Sequence, residues 1–402
     1  MTNFDYLCDK DAAQNVFGKN HFSDKKLGFK VIERGAIVPF VPVVEGGKRI
    51  LEFGGLIDGN DRFIQSSVGK FGAGDIYTPT EKIRYVPATV VYLGLFYPIW
   101  GHFITEGLRY FWFLSSETFK QNFADCPLAY VPYECKWYFD RMENFRRLAE
   151  LAAVDTDNLF PFVHPVRFEK IILPDESFFA AEAGRYFTAE YRETIDRVRA
   201  FALKNRTPTS SRKVYYFYGN NQTGEERLAE YFKTKGYDIV SPEKLTVDEQ
   251  LNVLINADSF ASTLGSSAHN SIFLRGGTEA IFIPRAANRF TAYQRLIDQA
   301  ADLKATYVDS SLSIFETFNG PYCFIIGERL KKFFRDTFDC YDAGDFKAFV
   351  NYVKLAAKGG LKVNPAQVEG YGEFFRDFMT QLRRRRDLTA TLPTNLEKSL
   401  LL

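Results

Sequence analysis

What the sequence lacks narrows its function before any motif is read. An excess of one sign of charge is missing: 51 Lys and Arg stand against 50 Asp and Glu, a formal net charge of +1. That excludes long-range steering toward nucleic acid, so any charged ligand must be met by local groups. Cysteine pairing is missing too. Cys8, Cys126, Cys135, Cys323 and Cys340 are odd in number, widely spread and without a CxxC pair, the pattern of reduced thiols in a cytoplasmic protein. No run approaches the ~18 apolar residues of a membrane span. The first residues also lack the basic start and apolar core of a signal peptide. The expectation is a cytoplasmic chain that neither crosses a membrane nor is exported by that route. No internal repeat, low-complexity segment, Walker A loop or GxGxxG fingerprint occurs.

The 402 residues are enough for two or more domains with separate cores. Aromatic residues are abundant, with 40 Phe and 22 Tyr; core packing accounts for most of them, and sugar-stacking surfaces are the other use. One stretch stands out: Trp-Gly-His-Phe-Ile-Thr-Glu-Gly-Leu-Arg-Tyr-Phe-Trp-Phe-Leu at residues 100–114. At about 100° per residue, His102, Glu106, Arg109 and Phe113 fall within a wedge of roughly 60°, and apolar residues cover most of the rest. The spacing predicts a mostly buried helix with one polar stripe. Buried ionisable groups are costly unless paired or open to a cleft. The stripe is therefore either a self-satisfying His-Glu-Arg network or a catalytic surface.

Along the chain, short β-type runs punctuated by Gly46-Gly47, Gly54-Gly55 and Asp58-Gly59-Asn60 predict an antiparallel N-terminal lobe over 1–80. Residues 81–205 predict an α/β domain. Its strand over Ala88 to Leu95 feeds the 100–114 helix, and strands at Leu128 to Pro132 and Lys170 to Pro174 flank a helix from Trp137 to Ala153. Asp155-Thr156-Asp157 reads as a helix-end loop, although a DxD triplet holds a divalent ion in one class of sugar transferase. After a polar breaker at 205–211, residues 206–310 show five β units alternating with helices. These include a Thr246 to Glu249 capping box and Gly236 closing a helix, and they predict a Rossmann-like parallel sheet. Residues 311–402 predict a helical tail ending near Arg383, Arg384, Arg385 and Arg386, either a solvated helix end or a contact with anionic lipid.

The loop Gly265, Ser266, Ser267, Ala268, His269, Asn270 lies between a predicted strand and helix. Glycine permits a tight turn, and unpaired amides at a helix start favour an anion such as a diphosphate. The plainer reading is a serine N-cap with His269 packed in the core. Two α/β domains facing across a cleft, one with the polar stripe and one with the anion loop, is the plan of a transferase using a diphosphate-activated donor.

These residues resemble glycosyltransferase family 61. Tyr92-Leu93-Gly94 leading to Trp100-Gly101-His102-Phe103, Glu106, Arg109 and Trp112 is similar to its first block. Glu225-Glu226, Gly236-Tyr237, Glu249-Gln250, Asn256-Ala257 and the run Gly265 to Phe273 resemble its second. The resemblance spans roughly residues 30–290 and implies a GT-B fold of two Rossmann-like domains, inversion at the anomeric carbon and no required metal. It also implies the bacterial capsule and lipopolysaccharide type of enzyme. Tyr218 and Gly219 stand where the family usually carries a donor-binding Arg; Arg212, Lys213, Arg275 and Arg285 are the candidates to replace it.

The resemblance makes the partners a nucleotide-sugar donor and a glycan or lipid-linked glycan acceptor, with no cofactor or metal. His102 is the expected base with Glu106 as its partner, the reverse being the alternative, and Arg109 holds the carboxylate or an acidic group of the acceptor. The donor falls to Gly265, Ser266, Ser267, Ala268, His269, Asn270, Arg212 and Arg275. The expected location is cytoplasmic, with Arg383 to Arg386 as a candidate peripheral contact with the inner membrane. Rival readings are transfer of a pyruvyl or polyol phosphate group to a glycan, a non-catalytic glycan-binding subunit, and a membrane-docking adaptor.

Overall fold

The computed structural model describes residues 2–45, 48–52, 54–67, 82–133, 142–180, 184–204, 212–219, 222–287, 292–317 and 319–389. The expected turn Gly46-Gly47, residues 137–141 of the expected helix and the breaker 205–211 lie outside these. By contacts the chain forms two compact units. An N-terminal unit comprises residues 21–207 and 246–252, and a C-terminal unit comprises 1–20, 208–245 and 253–402.

The chain opens with strand β1 (Asn3–Tyr6) and helix α1 (Lys10–Phe17), both in the C-terminal unit. In the N-terminal unit, β2 (Phe29–Glu33), β3 (Ala36–Val38), β6 (Gly55–Ile57), β7 (Arg84–Phe96), β8 (Leu128–Pro132), β9 (Leu159–Pro161) and β10 (Val166–Pro174) form one mixed sheet. A separate hairpin pairs β4 (Val41–Glu45) with β5 (Lys48–Glu52), and β11 (Phe178–Phe179) pairs with β12 (Tyr186–Phe187). The sheet order is β6-β3-β10-β7-β8-β9, with β2 also on β10. The strands expected to make a separate lobe over 1–80 thus extend the sheet of the following α/β segment through antiparallel pairing on β10.

The centre of this sheet is parallel, β10 with β7 and β7 with β8. That is why β7 reads as an unbroken apolar run from Val90 onward, all of it buried. The β7–β8 register slips between Tyr92 and Leu95, where Gly94 adopts φ +93°. A Cβ there would meet the Tyr110 ring, so glycine is required for the bulge. Helices α2 (Trp100–Phe103), α3 (Glu117–Asn122), α4 (Glu143–Leu151) and α5 (Ala189–Leu203) complete the unit.

The 100–114 stretch is buried as its composition predicts, but it is not one helix. After the single turn of α2 come two short 3₁₀ segments, Glu106–Leu108 and Phe111–Ser115. The break has a local cause. Thr105 Oγ1 donates to the Gly101 carbonyl at 2.7 Å, and Tyr191 Oη donates to the Ile104 carbonyl at 3.0 Å, so side chains bind carbonyls that a continuous helix would use. The crowded ring pairs Phe96–Phe103 and Phe103–Phe145, 5.5 and 4.9 Å between centroids, then fix the turns.

In the C-terminal unit, β13 (Arg212–Tyr216), β15 (Tyr237–Val240), β16 (Ala257–Thr263), β17 (Glu279–Ile283) and β18 (Lys304–Val308) are parallel, in the order β15-β13-β16-β17-β18. β1 adds a sixth parallel strand on β18, which the sequence reading misses. A two-residue parallel bridge joins β14 (Gln222–Thr223) to β19 (Tyr322–Cys323). The chain's direction across the sheet reverses at β13, so the crevice between the carboxyl ends of β13 and β16 is the place where such sheets bind ligands.

The connecting helices are α6 (Glu225–Thr234), α7 (Val247–Ile255), α8 (Ser266–His269) and α9 (Ala292–Ala300). The predicted capping box opens α7: Thr246 N–H donates to Glu249 Oε2 at 2.8 Å, and Glu249 N–H to Thr246 Oγ1 at 3.3 Å. The helical tail, α10 (Glu328–Phe333), α11 (Ala343–Lys358), α12 (Pro365–Tyr371) and α13 (Glu373–Arg383), belongs to this unit. Phe349, Tyr352, Phe374, Phe375 and Phe378 build a core with Leu312, Ile314 and Ile325. Arg383 and Arg384 are exposed at the end of α13, and Arg385 pairs with Asp387 at 3.3 Å.

Candidate active site

In the N-terminal unit β7 runs through Tyr97-Pro98-Ile99 into α2, which places His102 just beyond the carboxyl end of a central parallel strand. His102 Nδ1 lies 2.6 Å from Glu106 Oε2. The imidazole is 31% exposed and the carboxyl group 4%, so a buried acidic side chain holds a ring that reaches solvent. The Tyr97 ring lies 5.5 Å from His102 and the Tyr133 ring 5.0 Å from Tyr97, giving the histidine an aromatic flank.

Arg109 does not share this pair. It is 2% exposed, and its Nε stands 3.3 Å from Glu176 Oε1, at the end of β10. The two make an ion pair without hydrogen-bond alignment: Arg109 Nε and Nη2 and Glu176 Oε1 are buried with no hydrogen-bond partner among the described residues. Burial works against the guanidinium charge, but Tyr110, Glu176, Tyr97 and Glu106 around it outweigh this and hold it as a cation. Burial raises the Glu176 carboxyl above its usual range despite Arg109 and Lys25. The expected single stripe is therefore split, because the chain breaks at Thr105 and turns Arg109 inward. Glu176 carries no sequence signal beyond an acidic residue at a strand's carboxyl end, 67 positions from its partner.

In the C-terminal unit the expected anion loop follows β16 at its carboxyl end. Gly265 adopts φ +146° and ψ −167°, and a Cβ there would overlap the Arg285 guanidinium; only glycine fits. Ser266 and Ser267 contribute the first amides of α8. The Ala268 amide is already used, donating to the Gly265 carbonyl at 3.0 Å, so it leaves the expected donor set. His269 is buried with Nδ1 at 3.1 Å from Gln294 Oε1, and Asn270 Nδ2 donates to the Ser267 carbonyl at 3.1 Å. Both side chains stabilise the loop from within.

Two further residues expected at the donor lie elsewhere in the sheet. Arg212 opens β13 and binds Asp238 at 2.6 Å, and Arg275 binds Asp258 at the start of β16, also at 2.6 Å. Each sits at an amino end of a strand, away from the loop. Arg285, two residues beyond β17, is the arginine at the carboxyl edge.

Beneath this edge lies Glu225, fully buried. It accepts from the Gly219 amide at 2.7 Å, the Tyr218 amide at 3.4 Å and Thr263 Oγ1 at 3.2 Å. With its amide oriented to satisfy both ends, Gln222 donates to Thr263 Oγ1 at 3.3 Å and Glu225 Oε2 at 3.1 Å and accepts from Arg285 Nη2 at 3.3 Å. Burial raises the Glu225 carboxyl, and these backbone and hydroxyl donors, with the Arg285 charge, oppose it. A groove of about 710 Å³ in this unit shares Gln222 and is otherwise lined by residues such as Arg227, Lys347 and Lys354.

Asp155 caps the 3₁₀ turn Thr156–Asn158, and Asp157 pairs with Arg146 at 2.7 Å, which fits the helix-end reading. Among the described residues no group of three or more His, Cys, Asp or Glu is placed to hold a metal ion, and no helix is long and apolar enough to cross a membrane.

A mixed α/β chain with a doubly wound parallel sheet and a strand-end His-Glu pair has the elements of a group-transfer enzyme. Residues 100–281, which hold both constellations, match the family model described as Glycosyltransferase 61. No curated protein matches the chain. Among solved structures, the crystal structure of the bacterial iron-containing dodecameric glycosyltransferase TibC from enterotoxigenic E. coli H10407 is similar at 11% identity. That match covers 75% of this chain and 84% of that one, with a TM-score of 0.28, a likeness too low to carry an argument.

Proposed function

We propose that the protein is an inverting, metal-independent glycosyltransferase of the GT-B type. It moves a sugar from a nucleotide-sugar donor to a glycan or lipid-linked glycan in bacterial surface polysaccharide synthesis. The observation that carries this reading is the 2.6 Å His102–Glu106 contact at a strand's carboxyl end, within the family-matching segment. The carboxylate fixes the proton on Nδ1 and leaves the lone pair on Nε2, which takes the proton of an acceptor hydroxyl as it attacks the anomeric carbon in a single displacement. The donor's diphosphate leaves against the Gly265–Ser267 backbone of the C-terminal unit, where oriented amides stabilise the developing charge. The enzyme works in the cytoplasm, and the exposed Arg383 and Arg384 support a peripheral contact with an anionic membrane surface.

The test is a thermal-shift screen of wild type and His102→Ala against nucleotide sugars, with and without chelator, beside a transfer assay. A donor at 100 times its Kd adds about 2.7 kcal/mol of stability, in both proteins and regardless of chelator. Transfer by His102→Ala falls by roughly 10²–10⁴-fold. Absence of a shift with every nucleotide sugar would overturn the reading, and loss of donor binding in His102→Ala would overturn the assignment of His102 to the acceptor.

A further inference from the structure

Arg285 keeps donor capacity that its contacts within the fold do not use. It leaves the carboxyl end of β17 and passes under Gly265, whose missing side chain makes room for the guanidinium. The guanidinium lies over the rings of Tyr322 and Tyr218, 5.2 and 5.9 Å from their centroids. Ring contacts hold a cation in place without accepting hydrogen bonds in the way a carboxylate does. Among the described residues its Nη2 meets the neutral Gln222 amide, at 3.3 Å, and its Nε is buried with no acceptor.

The nearest buried carboxyl, Glu225, feels the Arg285 charge, which helps to hold its pKa down, but it makes no ion-pair contact with it. Glu225 is occupied by two backbone amides, the Thr263 hydroxyl and Gln222. Among the described residues no carboxylate oxygen lies within ion-pair distance of Arg285. An oriented cation with an unsatisfied donor edge, beside the first amides of α8 and at the sheet's switch point, is built for an anion. The loop amides and the guanidinium fork are two separate donor sets, which suits two linked phosphates better than one.

We propose that Arg285 is the residue that grips the donor's diphosphate, with the Tyr218 and Tyr322 rings steadying its guanidinium and Gly265 letting it lie against the loop. This rests on the donor-site reading above, and it separates the arginine that binds the leaving group from the histidine that takes the proton.

The experiment is calorimetric titration of the full chain with inorganic pyrophosphate and, separately, with UDP and other nucleoside diphosphates. Proteins are wild type, Arg285→Gln, Arg285→Lys and the double variant Tyr218→Arg/Arg285→Gln, each checked for native circular dichroism. Wild type binds pyrophosphate. Arg285→Gln weakens binding about tenfold or more, as expected for loss of a charge-assisted forked contact. The double variant, which delivers a guanidinium from the neighbouring ring position, recovers part of it. Should Arg285→Gln not fold, Arg285→Lys, which keeps the charge but loses the fork, carries the test with a weakening of about threefold or more.

Pyrophosphate affinity unchanged in the folded Arg285 variants overturns the proposal. If nucleotide sugars still bind those variants as they bind wild type, the donor-site reading survives that failure. If pyrophosphate binding needs Arg285 while no nucleotide sugar stabilises the protein, the anion site stands and the donor reading falls.

Discussion

Arg109 Nε and Glu176 Oε1 face each other at 3.3 Å, the arginine 2% exposed and the glutamate 11%. They link the turn after Glu106 to the end of β10, a link that Ser177 reinforces by donating through its hydroxyl to the Arg109 carbonyl at 2.6 Å. Removing one member of such a pair strands the other charge. Arg109→Met is expected to destabilise the protein by about 3–5 kcal/mol in urea unfolding, and Arg109→Met/Glu176→Gln to recover much of the loss. A single variant as stable as wild type would mean that Arg109 faces ligand instead of holding the fold.

Gly265 joins backbone conformation to the donor loop. Gly265→Ala combines a strained φ with overlap on Arg285, so it is expected to lower Tm by roughly 2–10 °C, corresponding to about 1–3 kcal/mol, and to abolish pyrophosphate binding. Gly277 is the control. It has φ +80°, but a Cβ there would meet nothing within 4 Å, so Gly277→Ala carries the conformational cost of about 1 kcal/mol and leaves anion binding unchanged. Equal effects on binding at both sites would disconnect the loop from the anion.

Asp298 makes stability depend on pH. It is buried, accepts from Tyr307 Oη at 2.6 Å and Gln294 Nε2 at 3.0 Å, and has Arg295 nearby. Burial outweighs these partners and pushes its carboxyl up to about 6. Below about pH 4 the folded and unfolded chains both hold the proton. Between about pH 4 and 6 the folded chain binds it more tightly, so stability falls as pH rises, by ~3 kcal/mol in all, and the loss is complete above the folded pKa. Asp298→Asn removes this slope, and guanidinium unfolding across that range measures it. Parallel stability curves for the two proteins would show that Asp298 titrates normally.

Much of the architecture was legible because it rests on local chemistry. The parallel strands of the C-terminal unit follow from continuous apolar runs between Gly236, Ser241-Pro242 and Gly276-Gly277, and the capping box from Thr246 and Glu249 themselves. β1 was not legible: Asn3–Tyr6 is an edge strand whose partner is β18, and nothing within four residues announces such a partner. The polar stripe was half legible. The i, i+4 spacing brings His102 to Glu106 even in a broken helix, but Arg109 depends on Thr105 and Tyr191 binding the carbonyls before it, a competition that helical periodicity ignores. Arg285 was one of four candidate arginines and lysines in the sequence; only the strand directions sort it from Arg212 and Arg275.

The pairing of β1 with β18 also sets a schedule for synthesis. Asn3 lies opposite Thr306, so during synthesis β1 must wait for a partner about 300 residues further on. At about 5–20 residues per second that delay is roughly 15–60 s. Closure of the six-stranded sheet by β1 thus depends on a contact between segments about 300 residues apart, so a change at either strand is felt at the same edge of the C-terminal unit.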